Sequence, residues 1–388
     1  MTELTDDPEE APVWARPEAF PAATSGWGWA DRKGGQHPVA SLDALADSIR
    51  SDRSSAVDLV WTPDRPMMVV PEEVPNLFHA LFAARRRWAA ADLEHSKGQL
   101  KLFGFGVLAM LAYTFYKDHA VHTSANIGFA LVLFVMFALI PWYQAWKRSR
   151  ELHDWSPASM EAAVPVLRFE TWLDLQKSPA TRLVAALMVL VGVAQLVFPD
   201  SIKHAGLDKI AYHKGETWRL LTAPFLHGGL LHWFMNMGAL LYLGRRVEVF
   251  ARWPHVPLVF LFSAWVGGEA SARFIDTISV GASGGLMGWL GFLMVFETLH
   301  ARLVPRSSRR RLLAGIVLTG VIGLIGYRFI DNAAHAGGLL AGMAYAAIVF
   351  PSSSSAHRPL TTITDKIVGT LAMLAMVASA ALAVVKMM

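Results

Sequence analysis

The sequence predicts an all-α polytopic membrane protein with a small soluble α+β region ahead of its spans. Three observations carry this. The chain of 388 residues is 54% hydrophobic and only 17% charged, too apolar for a soluble chain of that length. Its mean hydropathy is +0.36. Apolar stretches long enough to cross a bilayer recur from Leu102 to the C-terminus, separated by short polar or Gly/Pro-containing connections. Helices satisfy every backbone polar group internally, so this pattern describes a helical bundle and not a β-barrel.

In chain order, residues 1–35 are rich in Pro, Gly, Ala and Trp and read as a flexible tail. The start is acidic (Asp6, Asp7, Glu9, Glu10), with neither the basic start and apolar core of a secretory signal nor the Arg-rich pattern of a transit peptide. Residues 36–101 read as a small soluble cytoplasmic region: a short helix over Ala40 to Ser48, strands over Val57 to Trp61 and Pro66 to Val70, and an amphipathic helix over Glu72 to Ala91. Residues 102–146 hold two additional spans, Leu102 to Tyr116 and Ile127 to Trp146, and 147–182 form a cytoplasmic linker. Six spans follow in 183–350: Leu183 to Phe198, Leu230 to Leu243, Val256 to Ala270, Ser283 to Leu299, Leu312 to Tyr327 and Ala334 to Phe350. The second of these is short as written, and its start is expected nearer Phe225. Residues 351–388 are a linker and a last span, Ile367 to Val385.

Basic residues orient the bundle. Lys147, Arg148 and Arg150, then Arg245, Arg246 and Arg252, then Arg302, Arg306 and Arg309 to Arg311 lie in three loops. With nine alternating spans, all three fall on the side of the N-terminus, which the positive-inside rule makes cytoplasmic. The net charge of +4 therefore reports topology and gives no sign of a nucleic-acid partner. The absence of cysteine excludes disulfides, thiolate metal sites and a cysteine nucleophile.

Polar side chains at depth in an apolar bundle are candidates for function. Here they are His227, His232, Asn236, Ser283 and His335. His232 and Asn236 are four apart and share a helix face. Ser283 stands in Gly281-Ala282-Ser283-Gly284-Gly285 at a helix start, where flanking glycines admit a substrate backbone and free N–H groups face a developing oxyanion. His335 opens another helix and is followed by Gly338 and Gly342, while the serine helix carries Gly284, Gly288 and Gly291. Two such helices pack backbone to backbone, which would bring a Ser–His dyad to one depth. Plainer readings stand beside this one. Small-residue spacings are common packing seams, a serine in a membrane helix often bonds a backbone carbonyl, and a lone histidine often serves packing. Three imidazoles also suit zinc, but no carboxylate accompanies them in the apolar core, so no metal and no cofactor is expected.

Gly215-Glu216-Thr217-Trp218-Arg219, then His227-x4-His232-x3-Asn236, then Gly281-Ala282-Ser283-Gly284, then Ala334-His335-Ala336-Gly337-Gly338 with Gly342 resemble, in order and spacing, the rhomboid family of intramembrane serine proteases. Tyr242 to Glu248 also resembles the inner end of that family's second core helix, where the glutamate is structural. The resemblance implies a six-helix rhomboid core with two extra spans before it and one after. It implies Ser283 as nucleophile, His335 as general base and acid without a third carboxylate, and His232, Asn236 and the Ser283 N–H as the oxyanion hole. His227, Trp218 and Arg219 take supporting roles, the latter two in a loop shaping lateral access. Met287 stands where many members have an aromatic residue against the catalytic histidine. The family implies single-pass membrane proteins as substrates, a bilayer as medium and, for this chain, the bacterial plasma (inner) membrane. No partner of the N-terminal region is implied. The alternative is a non-catalytic rhomboid-like protein that binds transmembrane helices; a transporter would need charged groups on several spans and recognisable halves.

Overall fold

A computed structural model describes residues 11–52, 56–118 and 125–388; the acidic first ten residues lie outside them. The chain divides into two compact units, Met1–Asp174 with Val321–Phe329, and Leu175–Gly320 with Ile330–Met388.

The first unit contains a three-stranded antiparallel sheet of β1 (Trp27–Asp31), β2 (Gln36–Val39) and β3 (Val57–Trp61), in the order β2-β1-β3. Its central strand lies within the stretch expected to be a flexible tail. Trp29 pairs with His37 on one side and Val60 on the other, and Gly28 leaves room for the Trp61 ring, against which a Cβ would sit 2.1 Å away. Arg168 holds the residues before β1 in place by donating to the carbonyls of Trp14 and Arg16 and to Glu73 Oε1. The tail expectation is thus corrected for residues 11–35.

Helix α1 (Leu42–Ser51) begins where the Ser41 hydroxyl accepts from the Ala44 N–H, and it buries Leu45 and Ile49, four apart, against the sheet. The expected soluble helix and first span are one continuous helix, α2 (Phe78–Asp118), about 60 Å long. Its first turns bury Ala80, Leu81 and Ala84 with Val60, Val69 and Leu77; farther along it exposes Leu102, Phe105, Leu108 and Phe115, as a lipid-facing surface does. Pro66 to Val70 makes isolated bridges at Met67 and Val69 and forms no strand.

The second span is α3 (Ala125–Phe134), a π-helical turn (Val135–Leu139) and α4 (Ile140–Glu151). Pro141 has no N–H to continue an α-helical ladder, which accounts for the wider turn before it. The expected linker instead holds α5 (Pro157–Leu175), with Met160, Phe169 and Trp172 buried.

The second unit comprises α6 (Pro179–Val197), the short α7 (Ser201–Ala205), α8 (Lys209–His213) and α9 (Arg219–Thr222), then α10 (Leu230–Ala251), α11 (His255–Phe274), α12 (Ser283–Leu299), α13 (Arg306–Ile325), α14 (Asn332–Val349) and α15 (Ile363–Met387). The last turn of α13 is grouped with the first unit. Each of the nine expected spans coincides with helix among the described residues. Five helical stretches are long and apolar enough by composition alone to cross a membrane: Pro75–Lys117, Ala125–Glu151, Pro179–Val197, Asn332–Val349 and Ile363–Met387.

Helix α10 does not start near Phe225, as expected. Gly229, at φ +151°, breaks the chain before Leu230, and the extra length lies at the other end. That end stays helical because its charges are partnered. Arg246 bonds Ser308 Oγ at 2.7 Å and lies 3.7 Å from Glu297, both buried, and Glu248 accepts from the Ala180 and Thr181 N–H groups at the start of α6. A carboxylate at a helix N-terminus satisfies orphan donors and suits the dipole.

Candidate active site

Helices α12 and α14 touch through their backbones. A Cβ on Gly338 would lie 2.0 Å from the Gly284 carbonyl oxygen, and one on Gly342 would lie 1.9 Å from that of Gly288. The partners advance four residues together on both helices, so the two run parallel in one register. Ser283, the first residue of α12, and His335, in the first turn of α14, therefore stand at the same end of a shared seam. Gly267 of α11 closes the other flank, where a Cβ would meet the Ala334 carbonyl oxygen at 2.6 Å.

His232, in the first turn of α10, is brought to this end as well. Its Nδ1 accepts from the Gly228 N–H at 3.4 Å, which leaves the proton on Nε2. That nitrogen faces Gly281: a Cβ there would lie 2.9 Å from His232 Nε2 and 3.8 Å from Ser283 Oγ. Gly281 also has φ +127°, a conformation open to glycine and strained for other residues. The His232 ring thus packs directly against Gly281, with the Ser283 hydroxyl beside the same glycine. Asn236, a turn farther on and buried, donates its amide to the His232 carbonyl oxygen at 2.9 Å. His227 meets the His232 ring edge-on with centroids 5.2 Å apart. Its backbone is clamped by Gln195 of α6, which accepts from the His227 N–H at 2.8 Å and donates to its carbonyl at 3.1 Å.

Asp331 sets the start of α14. Its Oδ1 accepts from the Ala334 N–H at 2.8 Å, its backbone oxygen from the His335 N–H at 3.1 Å, and its Oδ2 from the hydroxyls of Ser279, at 2.5 Å, and Ser271. Lys209 donates to Ser279 Oγ and to the Thr277 carbonyl. Burial pulls the Lys209 ammonium down to about 8, with Asp331 opposing that shift. Ser271, Ser279, Asp331, Gly281 and Ser283 all border one small cavity of about 40 Å³.

Arg219 is buried and braces the loop between α6 and α10. It pairs with Glu216 at 2.8 Å, donates to the Gly206 carbonyl at 2.6 Å and lies 4.7 Å over the Trp218 ring. Met287, one turn below Ser283, is half-buried. Among the described residues no group of three or more His, Asp or Glu side chains is placed to hold a metal ion. Gln195, Lys209, Ser271, Ser279 and Asp331 were not singled out from sequence. Only Asp331 carried a readable signal, as an aspartate at a helix start.

A rhomboid domain profile matches residues 214–352. RHOMBOID-like protein 6, mitochondrial, of Arabidopsis thaliana is 39% identical over 131 residues, which are 33% of this chain and 42% of that protein. Rhomboid protease GluP of Bacillus subtilis (strain 168) is 33% identical over 147 residues, 37% of this chain and 28% of its own length. Inactive RHOMBOID-like protein 8 of Arabidopsis thaliana is 31% identical over 128 residues, 32% of this chain and 36% of that protein. The match thus covers under half the length of each of these curated relatives.

Proposed function

We propose that this chain, which carries a rhomboid domain at residues 214–352, is an intramembrane serine endopeptidase. Ser283 Oγ attacks the scissile carbonyl and forms an acyl-enzyme, while His335 takes the hydroxyl proton and returns it to the leaving amine. His232 Nε2, the Asn236 amide and the Ser283 N–H receive the oxyanion; water then releases the acyl group. Substrates are single-pass membrane proteins cut in or near their transmembrane helix. The catalytic core spans residues 183–350, the N-terminus is cytoplasmic, and the host membrane is a bacterial inner membrane.

The observation that carries this reading is that the Ser283 hydroxyl and the His232 ring both lie beside Gly281. A ring N–H beside a nucleophilic hydroxyl at the start of a helix suits acyl transfer and has no use in a plain packing seam. Since one relative is named inactive, the test is direct. Purified chain in liposomes is incubated with a model single-pass substrate, beside Ser283→Ala and His335→Ala. The expected loss is at least about 10³-fold for each variant. Equal cleavage by all three would refute the dyad; binding of the substrate helix without cleavage by the wild type would favour the non-catalytic alternative.

A further inference from the structure

At the end of the second unit opposite Ser283, where α6 and α15 begin, lies a cavity of about 680 Å³ bordered by Lys177, Arg252, Arg358 and Lys366. The acid on its wall is Glu248, whose two oxygens accept from the Ala180 N–H, the Thr181 N–H and the Thr181 hydroxyl. Its charge is thus engaged by the start of α6. Among the described residues none of Lys177, Arg252 and Lys366 makes an ion pair. Arg252 donates only its Nε, to the Pro359 carbonyl at 3.4 Å, so its two terminal nitrogens are open to a ligand. Arg358 donates to the Val249 carbonyl at 3.1 Å; burial, and then the charge of Arg252, hold its guanidinium below the ordinary arginine value. An anion held between two such guanidiniums would offset their repulsion in a partly buried pocket.

The backbone adds an independent sign. Arg252 has φ +76° and is the one non-glycine residue with positive φ among the described residues. Glycine would adopt this conformation without strain, so the arginine side chain is retained at a cost, as happens at ligand sites. The wall beyond the cations is apolar, with Leu183, Leu360 and Met373, and Leu183 and Leu360 are exposed. We propose that this cavity is a binding site for a phosphate-bearing anion, with the phosphate held by Arg252, Arg358, Lys177 and Lys366. The volume is several times that of a bare phosphate and accommodates a glycerophosphate headgroup whose acyl chains follow Leu183 and Met373.

The full-length chain in neutral detergent is melted with added phosphatidylglycerol, with phosphatidylcholine of the same acyl chains, and with inorganic phosphate. Phosphatidylglycerol raises the melting temperature at concentrations where phosphatidylcholine does not. The double variant Lys177→Gln/Lys366→Gln, and separately Arg252→Gly, which relaxes the backbone, weaken the apparent affinity by roughly fivefold per lost cation. Arg306→Gln/Arg310→Gln, which removes two exposed charges outside the cavity, leaves it unchanged. A shift with inorganic phosphate alone assigns the site to the free ion, and a shift with phosphatidylglycerol alone assigns it to the lipid. The site is disproved if neither anion shifts the melt, if phosphatidylcholine matches phosphatidylglycerol, or if the Arg306/Arg310 variant loses as much as the cavity variants. None of these readouts depends on proteolysis.

Discussion

The N-terminal sheet and the seam between α12 and α14 solve the same packing problem with opposite residues. The N-terminal sheet region fills its core with large apolar side chains, Leu45, Ile49, Val60 and Leu77 among them, closed beneath two turns of α2. The seam of α12 and α14 is made of glycines that set carbonyl oxygens where side chains would otherwise be. The difference follows from the solvent. In water, removing apolar surface drives association, at roughly 25 cal/mol per Å². Between helices in lipid that drive is gone, and stability comes from close approach and internal hydrogen bonds. A leucine that stabilises the sheet core is therefore the wrong residue at the glycine seam.

The largest effect that would break this contrast is at Gly338. Gly338→Leu places a Cβ on the Gly284 carbonyl oxygen, and backbone has no rotamer with which to yield. The variant should fail to accumulate as folded, membrane-inserted protein, whereas Gly106→Leu, where a Cβ meets nothing within 4 Å, should accumulate normally. Similar yields of the two would show that the seam is not tight. Next comes Leu77→Ala, which empties a fully buried position and should destabilise the sheet region by about 2–5 kcal/mol, read from tryptophan fluorescence during denaturation. A change under ~1 kcal/mol would mean that this core is not packed as described.

Asp331→Ala should cost about 1 kcal/mol as a lost helix cap, and should lower kcat by roughly tenfold or more with KM little changed, since it displaces the turn that carries His335. Asp331→Asn keeps the acceptor for Ala334 and should recover much of the loss; no recovery would place the role in the charge. The smallest effect is in pH. Lys209 titrates at about 8 in the folded protein against an ordinary 10.5, so between those values the unfolded chain binds the extra proton. Stability should therefore rise as pH climbs from about 8 towards 10.5 and be flat, in this respect, below 8. Subtracting the melting curve of Lys209→Met isolates that rise, and a difference of opposite slope would contradict the burial of this ammonium.

Much of the bundle was legible because lipid imposes a strong pattern: each expected span coincides with helix, and the glycine spacing of α12 and α14 foretold their contact. What escaped depends on partners distant in sequence. Trp27–Asp31 has no β-branched residue and sits among Pro and Gly, so only its pairing with β2 and β3 makes it a strand. Helix α5 carries Pro165 in its interior and is recognisable only by the side chains it buries. In the candidate site, His232, Asn236, Ser283 and His335 stood out as polar groups in apolar spans. Gln195 and the Lys209–Ser279–Asp331 chain did not, because their chemistry lies in whom they meet and not in their own segments.

The carboxylate of Glu248 carries a consequence for biosynthesis. It caps α6 from 68 residues downstream, so a ribosome working at about 5–20 residues per second makes the cap roughly 3–14 s after the helix it serves. In that interval the first core helix has bare N–H groups at its start and depends on water or on the translocation machinery to cover them. Chains arrested before Glu248 should leave a cysteine placed at Thr181 open to labelling, and chains arrested after α10 has emerged should protect it. Protection already complete in the shorter chains would show that α6 closes its first turn without help. If protection instead waits for α10, insertion of the core begins with a pair of helices, α6 and α10, and not with one.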